Sequence, residues 1–258
     1  MILAIDVGNT NIVLGCIEKE EIVTLMRLHT DEDSTDAEYT VKLHQLLSFH
    51  GIDCKALEGS ILSSVVPAVT EPLKRAIKSL TGSVPLVVGP GMKTGLNIRV
   101  DDPGTVAGDL IVGGVAAMNH YGIPAIIIDM GTATTVTVLD RQGSFIGGVI
   151  YPGVKLSYRA LASGTSLLPD IAIVPPEKAV SANTVDCMRS GAVFGTAAMI
   201  DGLIDRFEAE LGYPCNVVAT GGLASSVVPY CSHEIKVDDH LLMKGLNDLF
   251  QKNRPSES

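Results

Sequence analysis

No run of about 18 consecutive apolar residues occurs in the 258-residue chain, so a membrane-spanning helix is not expected. The start of the chain lacks a basic segment and a signal-type cleavage site, and a cytoplasmic location is the expectation. Cations are scarce. Nineteen Lys and Arg against 29 Asp and Glu give a net charge of −10 and no dense basic stripe, which argues against a nucleic-acid surface. The five cysteines (Cys16, Cys54, Cys187, Cys215 and Cys231) are odd in number and scattered, with no C-x-x-C pair, and read as reduced packing residues. The six histidines show no H-E-x-x-H spacing, and zinc is not indicated. What remains is an α/β composition, 46% hydrophobic with mean hydropathy +0.32, long enough for one large domain or two moderate ones.

Within that composition one pattern occurs twice. Met1-Ile-Leu-Ala-Ile5 ends in Asp6-Val-Gly-Asn-Thr-Asn11, and Ala125-Ile-Ile-Ile128 ends in Asp129-Met-Gly-Thr-Ala-Thr134. Each reads as a buried strand, a Gly-Thr turn and a second β-rich run, Ile12-Val-Leu14 and Thr135-Val-Thr-Val-Leu139. Glycine lets backbone N–H groups approach phosphate oxygens, and the aspartate can order a cation or its water. Asp-x-Gly-Asn also makes ordinary β-turns. Two such hairpins half a chain apart point to a duplicated fold closing over one nucleotide, with a division near residue 120 into halves 1–120 and 121–258.

The remaining segments alternate strands and helices, as in a mainly parallel or mixed sheet covered by helices. Residues 1–29 read as three strands with a turn at 18–21. Thr35-Asp-Ala-Glu38 is a capping box opening a helix to Gly51. A strand at 61–66, a helix at 67–80 and a strand at 86–88 follow. Gly89-Pro-Gly-Met-Lys-Thr-Gly95 has the wrong order for a phosphate-binding P-loop and reads as a turn-rich connection. A helix is predicted from Thr105 to His120, strands near 125–129, 134–139 and 144–150, and a helix after Gly153. One long helix is predicted from a cap at Asn183 to Gly212. Gly191, Gly195, Ala198 and Gly202 fall along it as a small-residue stripe, serving either packing within the chain or a dimer seam. Val217 to Gly222 reads as a last strand entering a glycine turn. The tail from Asp239 reads as a short amphipathic helix with a polar end expected to fray.

Together, Asp6 to Asn11, Gly89 to Asn97, Asp129 to Thr135, Gly147-Gly-Val-Ile-Tyr-Pro-Gly153, Asn183-Thr184 and Thr220-Gly-Gly222 resemble the type III pantothenate kinases, in that family's order and spacing. The resemblance implies duplicated ribonuclease H-like domains of the actin-like ATPase kind, with mixed sheets and flanking helices. It implies ATP-dependent phosphorylation of pantothenate, the first step of coenzyme A synthesis, by a cytoplasmic homodimer that needs Mg²⁺ and K⁺ or NH₄⁺. Carried over residue by residue, it places ATP at Asp6, Val7, Gly8, Asn9, Thr10, Asn11, Ile12, Val13, Thr132, Gly221 and Gly222. Asp6 serves Mg²⁺ through water, and Asp129 holds the monovalent cation. Pantothenate falls to Ala107, Gly108, Asp109 and Leu110 and to Thr184, the last supplied by the neighbouring subunit.

Asp109 is the candidate base that accepts the acceptor hydroxyl's proton, and its place at a helix N-terminus predicts a lowered pKa. Three positions depart from the family pattern. Leu110 stands where an arginine usually follows the catalytic Asp, Val100 where an aromatic is common, and Gly164, in Gly164-Thr-Ser166, where another arginine is common before Thr-Ala. ATP-side residues are intact and acceptor-side residues altered, so two other functions stay open. These are a non-catalytic nucleotide-binding regulator and a kinase for a different small hydroxy acid. Arg99, Lys155 and Arg159 are the available replacement cations.

Overall fold

Runs rich in Ile and Val set the strands, and capped amphipathic segments set the helices between them. The computed structural model describes residues 1–254, and the polar end expected to fray falls on 255–258, outside the described residues. The first half carries β1 (Ile2–Val7), β2 (Asn11–Glu18), β3 (Glu21–His29), α1 (Asp36–Phe49), β4 (Gly59–Ser64), α2 (Pro67–Thr81), β5 (Leu86–Val87), β6 (Asn97–Ile98) and α3 (Gly108–His120). The second carries β7 (Ala125–Met130), β8 (Ala133–Leu139), β9 (Ser144–Pro152), α4 (Val154–Ser163), α5 (Thr184–Ser190), α6 (Thr196–Leu211), β10 (Asn216–Thr220), α7 (Ala224–Val227), β11 (Lys236–Val237) and α8 (Leu241–Asn253).

The strand order reports the duplication. One sheet runs β3-β2-β1-β4-β5, the other β11-β10-β7-β8-β9-β6. Omitting β6, the second repeats the first: two antiparallel hairpins, then two parallel neighbours beside the strand that bears the Asp. Two compact units result. One contains Met1–Leu96, Asp101–Ala116 and the chain from Leu241 onward; the other contains Asn97–Val100 and Ala117–His240. This grouping differs from a single cut at residue 120, because α8 returns to the first unit. It lies against β1 and β4, where Gly59 meets Phe250, and reaches Gly15 of β2 through Met243. Gly245 lets α8 approach the α3 backbone, since a Cβ there would sit 2.2 Å from the Val112 carbonyl oxygen.

In the first unit, Leu3, Ile5, Val7 and Leu62 project onto α1 and α2, burying Tyr39, Leu43, Leu47 and Leu73. Each fully buried aliphatic side chain contributes about 1.5–3 kcal/mol. The Thr35–Glu38 capping box forms as the spacing predicts. In the second unit, Ile126, Ile128 and Met130 pack with Val136 and Val138 against Ile200, Ile204 and Val227.

Two helices differ from their predicted form. Pro103–Thr105 makes a separate 3₁₀ turn, so α3 begins at Gly108. The single helix from 183 to 212 is broken by a π-helical segment at Gly191–Gly195, between an Asn183 cap and a left-handed Gly212. The small-residue stripe divides: Gly191 packs under the Tyr158 hydroxyl, which a Cβ there would meet at 2.5 Å, whereas Gly195 and Ala198 are exposed and Cβ atoms added at Gly195 or Gly202 would meet nothing within 4 Å.

Candidate active site

Strand β1 delivers Asp6 to the mouth of a hairpin whose tip, Asn9, Thr10 and Asn11, is exposed. The turn closes through Gly8 N–H donating to the Asn11 carbonyl at 3.0 Å. Thr30, just past β3, props it from the side: its N–H donates to the Thr10 carbonyl at 3.1 Å and its hydroxyl to the Gly8 carbonyl at 2.6 Å. Val7 and Ile12 are buried in the core, so only their backbones could face a phosphate.

The second hairpin repeats this. Asp129 precedes an exposed Gly131-Thr132 tip, and Gly153 N–H donates to the Thr132 carbonyl at 3.0 Å. Asp129 follows Asp6 by 123 positions (129 − 6), and Gly153 follows Thr30 by the same 123 (153 − 30). Gly153 is a glycine because a Cβ there would lie 2.3 Å from the Thr132 carbonyl oxygen. Gly221, at the end of β10, has φ +92° and would put a Cβ 2.6 Å from Asp129 Oδ1 and from Met130 N. No L side chain fits that position, so glycine there brings the 220–222 backbone against the Asp129 carboxylate. Gly222 beside it is exposed.

In the first unit, Ala107, Gly108, Asp109 and Leu110 lie at the N-terminal end of α3, all half-buried. Asp109 Oδ1 accepts from the Leu110 N–H at 2.8 Å. Burial raises the Asp109 carboxyl above its usual range, and the Leu110 and Asp109 backbone N–H groups oppose this only in part. The lowered pKa predicted from the helix terminus is therefore corrected: desolvation outweighs the terminus. Ser63, which the sequence reading passed over, pairs in register with Asp6 and lies below Gly108.

Thr184 opens α5 and lines an open cavity of about 590 Å³ with Tyr158, Leu161, Leu168 and Met188. Its walls contain none of Asp129, Thr132, Gly221 or Gly222. Of the three candidate cations, Arg99 is paired with Asp140 at 3.5 Å, while Lys155 and Arg159 are exposed on α4. Thr30 and Ser63 were absent from the sequence reading. A self-alignment of the chain on Asp6 and Asp129 would have found Thr30, opposite Gly153.

Among the described residues, no cluster of three or more His, Cys, Asp or Glu could hold a metal ion. A carboxylate set beside an open turn suits instead a cation held by water and phosphate oxygens. In each unit the exposed hairpin tip, and in the second unit also the close backbone approach at Gly221, leaves room for a phosphate oxygen. No helix among the described residues is long and apolar enough to cross a membrane.

Two mixed sheets with flanking helices and a repeated strand order define the actin-like ATPase and sugar kinase class of fold. Two solved structures share it. Component A of (R)-2-hydroxyglutaryl-CoA dehydratase from Acidaminococcus fermentans has TM-score 0.56 at 15% identity, over 95% of this chain and 94% of that one. The inorganic polyphosphate/ATP-glucomannokinase from Arthrobacter sp. strain KM has TM-score 0.50 at 13% identity, over 96% of each. The sequence is more specific. Residues 2–206 match the type III pantothenate kinase family, and the type III pantothenate kinase of Moorella thermoacetica is 42% identical over 98% of this chain and 100% of its own length. The chain belongs to the type III pantothenate kinase family.

Proposed function

We propose that this chain transfers the γ-phosphoryl group of ATP to the primary hydroxyl of pantothenate, giving 4'-phosphopantothenate for coenzyme A synthesis. The observation that carries the reading is an Asp-bearing phosphate hairpin in each unit of a chain of this family. Phosphoryl transfer asks the protein chiefly to position groups and offset charge. Asp6 and the 8–11 turn receive the β- and γ-phosphates and the divalent ion, which we take to be Mg²⁺ bound through water. That ion neutralises charge developing on the phosphate oxygens when bound. Thr132 and the glycines of 220–222 serve the rest of the nucleotide, and Asp129 serves K⁺ or NH₄⁺.

Asp109 is the base. A carboxyl raised by burial is better matched to a hydroxyl proton than an ordinary one. With leucine at 110, the acceptor carboxylate turns to another cation. Lys155 and Arg159 remain candidates because Arg99 is engaged by Asp140. A homodimer is supported by large apolar side chains left open in the second unit, where Ile150, Leu167 and Val180 are 77%, 89% and 91% exposed, and by the exposed Gly195 and Ala198. Thr184 then reaches acceptor bound by the other copy, and the protein works in the cytoplasm.

A coupled assay of ADP release with pantothenate and related hydroxy acids, with and without K⁺, tests this. Turnover should be confined to pantothenate and stimulated by K⁺. Preference for another hydroxy acid would reassign the acceptor.

A further inference from the structure

Ser63 lies on β4 directly beside Asp6 in parallel register. It is fully buried, and its hydroxyl has no hydrogen-bond partner in the protein. The adjacent Ser64 differs: its hydroxyl accepts from the Val66 N–H at 3.2 Å and from the Thr70 hydroxyl at 2.8 Å. Register neighbours on parallel strands project from one face, so Ser63 shares the face of Asp6. Leu62 projects from the other face, into the apolar core beneath α1 and α2. Over Ser63 stands the first residue of α3, a helix of 13 residues: a Cβ on Gly108 would lie 3.2 Å from Ser63 Oγ. The hydroxyl therefore points into the N-terminus of the helix that carries Asp109, with Asp6 on its flank.

A buried hydroxyl that makes no hydrogen bond destabilises the fold, and alanine at this position would not. The groups beside it are the two carboxylate-bearing segments of the proposed site, Asp6 on β1 and the start of α3, and the positive end of a helix favours a polarised water there. Ser60 is the internal comparison. Its hydroxyl is also buried and without a partner, but it projects from the opposite face, in register with Leu3.

We propose that Ser63 is a positioning residue for phosphoryl transfer: its hydroxyl hydrogen-bonds the water through which Asp6 serves the divalent cation, fixing that water against the N-terminus of α3. The proposal rests on the reading of Asp6 given above. A hydroxyl can accept from a water proton or donate to its oxygen, while Asp6 accepts the water's other proton. The role is orientation, with no covalent step.

The test compares Ser63→Ala and Ser60→Ala in the full chain, by thermal unfolding with ATP, with and without Mg²⁺, and by Mg²⁺ titration of turnover. Wild type should gain an increment in Tm from Mg²⁺ above that from ATP alone. Ser63→Ala should lose most of that increment, need about tenfold more Mg²⁺ for half-maximal rate, and keep its KM for pantothenate. Without ligand it should unfold at or above the wild-type temperature, and Ser60→Ala should follow wild type in Mg²⁺ dependence. Wild-type Mg²⁺ dependence in Ser63→Ala would overturn the proposal, as would its failure to fold, which would make the hydroxyl structural. A wild-type chain with no Mg²⁺ increment would instead overturn the reading of Asp6 itself.

Discussion

Asp109 concentrates two opposed demands in one carboxyl. Burial raises its pKa, so its ionised form, the one the proposed base needs, weighs against folding at neutral pH. Asp109→Asn should lower kcat by about 10²–10⁴-fold, yet unfold at the wild-type temperature or above it. For the active chain, kcat/KM should fall as pH drops through a value above the ordinary 3.8 of a carboxyl, and a pH–rate profile checks this. Gly221 makes the converse case, a residue with no functional atom of its own. With φ +92° and Asp129 Oδ1 2.6 Å from any Cβ, Gly221→Ala should cost about 1–3 kcal/mol in urea unfolding. It should also weaken ATP binding in calorimetry. The places of Asp6 and Asp129 before glycine turns and of Asp109 at a helix start were legible, because such turns and helix starts leave local patterns. Ser63 was not, since its place depends on which strand lies beside β1 and which helix starts above it. The direction of the Asp109 shift was also hidden, because burial is set by the whole fold and the helix-end effect by neighbouring residues.

At the scale of elements, α6 is tied to the loop after α7 by a charged clamp. His233 Nδ1 lies 3.0 Å from Asp201 Oδ1, and its Nε2 lies 3.1 Å from Asp205 Oδ1. The Ser232 and His233 N–H groups also donate to Asp201. The hydrogen bond that the imidazole donates to Asp201, then the charges of Asp205, Asp201 and Glu208, raise His233 above its ordinary 6.5. A histidine with a raised folded pKa adds stability that is full below its unfolded value and is lost as pH rises through the folded one. Tm should therefore fall as pH rises from about 6 toward 8, and His233→Gln should flatten that fall. A wild-type Tm that stays level over this range would contradict the clamp. The Thr35–Glu38 capping box was readable because both of its bonds lie within four consecutive residues. The π segment at Gly191–Gly195 was not: its residues keep a helical pattern, and the extra residue per turn arises where Tyr158 packs over Gly191. The two-residue β11 was missed as well, since its pairing with β10 is remote in sequence.

For the whole molecule, duplication was visible in the repeated Asp-x-Gly hairpins, and the strand orders extend it to both sheets. The return of α8 to the first unit was not visible, because an amphipathic tail does not name the surface it covers. The exposed stripe on α6 gives a test of assembly. Ala198 is exposed, so Ala198→Glu should change the stability of the lone chain by less than about 0.5 kcal/mol. In light scattering it should convert a dimer to a monomer, and an unchanged dimer would remove the stripe from the interface. The central claim is that a chain with leucine after its catalytic Asp still phosphorylates pantothenate. The most direct measurement is phosphorus NMR of the purified protein with ATP, Mg²⁺, K⁺ and pantothenate. A phosphomonoester signal growing in step with ADP, and absent with Asp109→Asn, is the predicted result. ATP bound in calorimetry with no phosphomonoester formed would contradict the account and leave a nucleotide-binding regulator in its place.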